Sequence, residues 1–270
     1  MIWTLTRRIL GPMAALLMVA TGLGGCTNEV FLVEIGGEGD PAARVTAIDI
    51  QNGRGNVTVL VDPSITAPTV EARPFGARRG VEAEPADYSW VQATLDKQGA
   101  ANVLRVHAVH PDGPASANKL HLFVTVPGTK STMIRNNDGS VHVIGVAGVI
   151  EIQNGDVGIP GGDIQVKTDQ PLRDRISLVT SDGYVALSIP PNSAGAFTLE
   201  SPKASLTFNS RQARVTNAES VAYSHSWSGM LNGGENTVLL RSGNGDVRVN
   251  VIENPLRVSF QQSSHGQTAN

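Results

Sequence analysis

Aromatic side chains are scarce: Phe, Trp and Tyr together make up 4% of the 270 residues. Domains of this size usually draw much of their buried area from such rings, so the core is expected to consist of Val, Ile and Leu in many short strands. Cysteine is almost absent. A single copy excludes an internal disulfide framework and a Cys-rich zinc site. Charge of one sign is lacking as well, since 21 basic and 24 acidic residues leave a formal charge of −3, which argues against a nucleic-acid-binding surface. Long hydrophobic runs are missing, and with them the signature of a multi-pass membrane protein. What remains is a chain of globular hydrophobicity, 40% apolar, with 29 Gly and 15 Pro.

The N-terminus has the three parts of an export signal: Arg7 and Arg8, an apolar run from Ile9 to Ala20, and a small-residue exit. That run is shorter than the roughly 20 residues a spanning helix needs. Its exit, Leu23-Gly24-Gly25-Cys26, resembles the lipobox of bacterial lipoprotein precursors, and the only cysteine in the chain falls at the modified position. The resemblance implies cleavage of residues 1–25 and a diacylglyceryl group on the sulfur of Cys26. Two or more acyl chains at about 0.8 kcal/mol per buried methylene make a stable anchor. Processing leaves 19 basic and 24 acidic side chains, so the lipid rather than a basic patch is expected to hold the membrane. Thr27, where inner-membrane lipoproteins of diderm cells commonly carry Asp, fits the outer-membrane set: the periplasmic face of the outer membrane or the cell surface.

Residues 26–44 read as a tether. Beyond it, alternation dominates: Val57, Val59 and Val61; Val141 and Val143; Val185, Leu187 and Ile189; Val247, Val249 and Val251. The strands share a repeat, with aliphatic residues two and four places after a glycine. Gly55, Gly139, Gly148, Gly155, Gly162, Gly183, Gly195 and Gly245 each lead such a copy, and Ala204 leads a degenerate one. Asp138, Asn154, Asp182 and Asn244 precede four of these glycines. Glycine accepts positive φ at a corner, and the next aliphatic residues then point inward.

A meander of hairpins and a solenoid both produce such a pattern. From Gly139 through Gly148 and Gly155 to Gly162 the steps are 9, 7 and 7 residues, too short for a return strand between glycines. The fold class expected is therefore all-β, a parallel β-solenoid or β-helix over 129–257. Before it, 45–128 form a strand-rich N-terminal portion with a long Pro- and Arg-rich loop (68–86). There Val103 to His110 and Lys119 to Val126 read as a hairpin about Pro111-Asp112-Gly113-Pro114. Residues 258–270 are a polar tail.

The ordered series of Gly-Asp-Val-like copies, Val126-Pro127 after a strand, and Ile189-Pro190-Pro191-Asn192 before further strands are similar to the DUF4097 beta-strand-repeat family, over about Val45 to Val251. That resemblance implies a parallel solenoid-like fold on cell-envelope proteins, an adhesin label and no established catalytic residues. This chain departs from the pattern at Arg54-Gly55-Asn56, at Ser140 and in the Pro- and Arg-rich insertion.

Chemistry-bearing constellations are few. No Gly-x-Ser-x-Gly occurs, and neither Ser181-Asp182-Gly183 nor Ser224-His225-Ser226 has the partners of a hydrolase triad. Asp156, Asp163 and Asp246 occupy the position after a glycine; they form either an acidic stripe fit for glycan chemistry or simple solvated corners. Gly243-Asn244-Gly245-Asp246-Val247 matches part of one calcium-binding repeat, without the consecutive copies such sites need. His107, His110 and His121 flank the expected hairpin turn and read either as a weak transition-metal set or as exposed strand histidines. Trp227 reads as an exposed anchor or as a plug over one end of the coil. No catalytic residue, cofactor or metal is assigned. The expectation is a lipid-anchored envelope protein acting as a structural or adhesin-like module, bound to the membrane through its lipid, to an envelope protein or glycan, or to itself through solenoid edges. The alternative is a glycan-binding or glycan-cleaving β-helix.

Overall fold

The computed structural model describes residues 30–39, 45–74, 89–98, 101–112, 119–156, 158–221 and 225–257. Cys26, the stretch 75–88 and the tail beyond Arg257 lie outside them. In chain order the strands are β1 (Phe31–Leu32), β2 (Ile35–Gly36), β3 (Val45–Asn52), β4 (Val57–Val61), β5 (Thr69–Pro74), β6 (Gln92–Gln98) and β7 (Ala101–Ala108). There follow β8 (Leu120–Val126), β9 (Ser131–Asn136), β10 (Val141–Ile144), β11 (Val149–Asn154), β12 (Ile164–Lys167), β13 (Ile176–Thr180) and β14 (Val185–Ile189). The last are β15 (Gly195–Glu200), β16 (Leu206–Ser210), β17 (Val215–Val221), β18 (Ser226–Leu231), β19 (Thr237–Ser242) and β20 (Val247–Val251).

They form two sheets. The nine-stranded sheet runs β1-β5-β8-β4-β10-β12-β14-β20-β16, and the eleven-stranded sheet runs β2-β6-β7-β3-β9-β11-β13-β19-β15-β18-β17. The two orders match coil by coil. Seven two-strand coils, each crossing from the eleven-stranded to the nine-stranded sheet, stack in the order β7-β8, β3-β4, β9-β10, β11-β12, β13-β14, β19-β20, β15-β16. Neighbouring coils pair in parallel throughout. The fold is thus an all-β, solenoid-like stack. Its coils do not follow chain order: β7-β8 lies outside β3-β4, and the last coil, β19-β20, is inserted before β15-β16. Antiparallel strands close the ends, β5 and β6 at one and β18 and β17 at the other.

Period 2 explains the core. Val57, Val141, Ile164, Val185, Val247 and Leu206 are in register across one sheet, and Ile48, Thr132, Ile150, Ile176, Val238 and Phe197 across the other. Apart from half-buried Leu206, these side chains are buried, and each fully buried aliphatic is worth about 1.5–3 kcal/mol. Small aliphatics suffice because every coil is only two strands deep.

Several sequence expectations need correcting. The hairpin expected between 103 and 126 does not exist, since β7 and β8 lie in opposite sheets of one coil. Alternation and a Pro-Asp turn look the same whether the next strand pairs alongside or faces across. The antiparallel partner of β7 is β6 instead. Gly155 does not lead a strand: Asp156 and Ile159 form an isolated bridge in the loop between β11 and β12. Gly148 and Gly195 lead into the eleven-stranded sheet, whereas Gly55, Gly139, Gly162, Gly183 and Gly245 lead into the nine-stranded one, so the repeat merges two kinds of corner. Within the expected loop, 69–74 are strand β5, and within the expected tether, β1 and β2 pair with β5 and β6. Parallel stacking also runs back through β3 and β7, beyond the 129 start expected for the coils.

Candidate functional site

The polar residues that drew attention in the sequence cluster at the corners where each coil enters the nine-stranded sheet. Three places before the corner glycine an inward polar side chain recurs: Asn52, Asn136, Thr180, Ser242 and, before Ala204, Ser201; Asn154 takes the same place ahead of a longer loop. All six are buried. Asn52 Nδ2 donates to Asn136 Oδ1 at 2.8 Å, and Asn136 Nδ2 donates to Asn154 Oδ1 at 3.0 Å. Asn154 Nδ2 also donates to the carbonyls of Gly139 and Gly162, both at 2.8 Å. Thr180 donates to Gly162 O, Ser242 to Gly183 O and Ser201 to Gly245 O. This ladder satisfies the carbonyls that turning the chain would otherwise orphan. At its end stands Ala108, and Asn52 Oδ1 is buried without a partner. Sequence reasoning found the glycines and missed the ladder, although the Asn, Thr or Ser three places upstream was there to be read.

A second column runs in register order through His121, Asn56, Ser140, Asp163, Tyr184, Asp246 and Ser205; its five middle members each follow a corner glycine, while His121 follows Leu120 and Ser205 follows Ala204. Four of its side chains accept a backbone N–H group from the neighbouring coil. His121 Nδ1 accepts from Asn56 N at 3.1 Å, Asn56 Oδ1 from Ser140 N at 2.9 Å, Asp163 Oδ1 from Tyr184 N at 3.0 Å, and Asp246 Oδ1 from Ser205 N at 3.1 Å. The Ser205 hydroxyl donates to Asp246 as well. Asp163 and Asp246 therefore serve as corner caps, while Asp156 lies off this column in the β11–β12 loop. The partial calcium repeat around Asp246 is one of these corners.

Electrostatics are most perturbed around Asp163. Burial pushes its carboxyl above the usual range against the pull of the Tyr184 N–H, and burial pushes His142 down although the Asp163 charge opposes this. Tyr184, whose hydroxyl accepts from Gln165 Nε2, is pushed up to about 12 by burial and by the Asp163 charge. Elsewhere Asp138 binds Arg54 at 2.9 Å and Lys119 at 3.0 Å, and burial is outweighed by these partners, which hold its carboxyl below the usual range.

The three histidines do not come together. His107 sits on β7 between Gln92 and Gln51 of the eleven-stranded sheet, and His121 sits on β8 in the other sheet. His110 lies edge-on to Trp90 at 5.2 Å and accepts from Asp112 N. Among the described residues no three His, Cys, Asp or Glu side chains gather as a metal site. Ser181 Oγ accepts from Gly161 N at 2.7 Å and donates to Ile159 O, a structural post rather than a nucleophile. Trp227 stacks on Phe208 at 4.5 Å, and Phe208 meets Phe197 edge-on at 5.2 Å, so the tryptophan plugs the β16 end of the core. Ser224 and Cys26 lie outside the described residues.

Taken together, parallel two-strand coils, glycine corners and an internal amide ladder define a repeat-built β module whose polar groups hold the stack. The chain belongs to the Toastrack DUF4097 family, whose profile matches residues 99–250, more than half its length. A crystal structure from Clostridium sporogenes, titled a "putative cell adhesion protein", resembles it with a TM-score of 0.51 at 9% identity, covering 82% of this chain and 97% of the other. A "putative adhesin" from Bacteroides fragilis aligns over 83% of this chain and 98% of its own at 10% identity, with a TM-score of 0.35. At such identity the first likeness speaks for the fold alone. No curated protein matches.

Proposed function

We propose that this protein is a lipid-anchored cell-envelope module that works by interaction rather than catalysis. The observation that carries the reading is the use of its corner polar groups: the buried ladder and the cap column are engaged in holding coil to coil. Anchoring rests on the lipobox at Cys26. Mass spectrometry of the N-terminal peptide from cell membranes is expected to find a lipidated Cys26, and an unmodified, uncleaved N-terminus would sink the anchoring.

For a partner, the favoured reading is a second copy meeting the edge of β16. Among the described residues β16 pairs on one side only, with β20. Because Val247 N donates to Ser205 O, alternation turns the N–H and C=O groups of Leu206, Phe208 and Ser210 to the open side. The other three sheet ends are guarded: β1 and β2 have two residues each, and β17 is bulged between Thr216 and Glu219. β16 is unbroken and uncharged. An antiparallel two-fold about Phe208 pairs all six open groups. Light scattering of the mature chain carrying Cys26→Ser is expected to show a concentration-dependent dimer, lost on Thr207→Lys with Asn209→Lys; a monomer at every concentration would reject this partner.

One cluster favours a second reading. Asp163 and Asp246 lie two coils apart, about 10 Å at strand spacing, with Tyr184 between them and a raised carboxyl on Asp163. That backbone spacing is just beyond the roughly 6.5–9.5 Å between the two carboxyl groups of inverting glycosidases, so the pair suits holding a glycan better than cleaving it. Loss of binding to isolated envelope glycan on Tyr184→Ala, with the fold intact, would support this alternative.

A further inference from the structure

We infer that the β1, β2, β5 and β6 end of the stack lies against the lipid surface, with Val30 and Leu32 in contact with it and the β16–β18 end pointing away. The inference rests on the anchoring reading above and adds an orientation to it. Only four residues separate Cys26 from Phe31, so the five steps between them span at most about 18 Å even when fully extended. Phe31 is no longer free chain, because β1 pairs with β5 at the margin of one sheet. Four residues further on, β2 pairs with β6 at the margin of the other. The stretch from Val30 to Gly36 is thus a strap across one end of the coils, fastened to both sheets, and a lipid on Cys26 would pull that end to the bilayer. The far end cannot take its place. Nine strands at about 4.8 Å set β16 about 38 Å from β1.

The strap's exposed face agrees. Leu32 is 76% exposed and Val30 45%, both high for large aliphatics, and they lie on the same side of an extended segment. Leu32 borders a shallow hollow of mixed lining, with Phe31, Val33, Ala72 and Val91 on its apolar side and Glu34 and Ser89 on its polar side. Glu34 shares the exposed side and holds the contact at headgroup depth rather than among the acyl chains. Two aliphatic side chains do not hold a protein on a membrane by themselves. Their part is to seat an end that the lipid has already brought there.

The mature chain offers its own probes, since its two tryptophans stand at opposite ends: Trp90 beside His110 near β6 and β7, and Trp227 on β18. The mature full chain would be coupled through Cys26, its only thiol, to a maleimide lipid in phosphatidylethanolamine/phosphatidylglycerol vesicles doped with dansyl lipid. Energy transfer would then be read in Trp227→Phe and in Trp90→Phe. Transfer from Trp90 is expected to be at least threefold greater than from Trp227, and Leu32→Glu is expected to lower it without changing the coupling yield. Equal transfer from the two, or greater transfer from Trp227, would overturn the orientation. So would an unquenched Trp90, as when a second copy or another protein covers this end. Because the lipid is attached chemically, the result is independent of whether cells lipidate Cys26, which the mass of the native N-terminal peptide decides separately.

Discussion

Thr132 stands in an inward row between Ile48 and Ile150, and its hydroxyl is buried without a partner. Valine has nearly the same shape and carries no polar atom to desolvate. Thr132→Val is therefore expected to raise stability by about 1 kcal/mol, read as a higher urea midpoint at unchanged slope. Asp163 makes a related case through charge. Asparagine keeps the oxygen that accepts the Tyr184 N–H and removes the ionisation that burial disfavours. With its folded carboxyl raised above 3.8, the folded state binds more protons than the unfolded one in the window just above that value, so stability falls as pH rises through it. Asp163→Asn is expected to unfold at higher urea than the parent at pH 7, with the gap closing by pH 3. A gap that widens on acidification would show the carboxylate to be stabilised where it sits.

At the scale of strands and corners, the glycines act in two separable ways. A Cβ on Gly245 would lie 1.9 Å from the carbonyl oxygen of Gly183 in the next coil, although its φ is ordinary. Gly158 has φ +78 and nothing within 4 Å. Gly245→Ala is expected to cost about 3 kcal/mol or more by forcing coils apart, and Gly158→Ala about 1–2 kcal/mol from the left-handed backbone alone, both by chemical denaturation. The same distinction explains what could be read from the sequence. Alternation found the strands and their inward faces, because two sheets facing one core impose period 2 on Val57, Val141, Val185 and Val247 alike. Partner identity was not legible: β7 and β8 alternate as a hairpin would, yet sit in opposite sheets. Nor could spacing separate Gly148, which leads to one sheet, from Gly162, which leads to the other, since both corners require a residue without a side chain. The cap role of Asp163 and Asp246 depends on backbone N–H groups in other coils, which only the register brings near. The strap was hidden for another reason. Two strands of two residues each carry almost no periodicity, and their pairing is set by sheet margins 39 to 58 residues further along the chain.

At the scale of the whole molecule, the order of the coils departs from that of a simple solenoid. In a one-dimensional repeat array, removing the last repeat shortens the stack and leaves a folded remainder. Here the last coil in sequence, β19-β20, lies between β13-β14 and β15-β16, pairing in parallel with both. Val238, Leu240, Val247 and Val249 on it are fully buried, and the Ser242 hydroxyl carries the corner ladder from Gly183 onward. Deleting it opens a gap one coil in from the end of the stack and leaves β15-β16 without a parallel neighbour, held only by its cap strands. The two sides of the gap cannot simply close, because the chain from Ile189 to Gly195 is fitted to pass over one intervening coil. A chain ending at Gly233 is therefore expected to lose cooperative unfolding as a whole, seen as a broad urea transition and rapid proteolysis between 195 and 231. A sharp transition with six coils' worth of protected amides would show instead that coils fold as independent neighbours. The inserted coil would then be an accident of connection, rather than the lock that makes the end carrying β16 and Trp227 part of the same cooperative body as the strapped end.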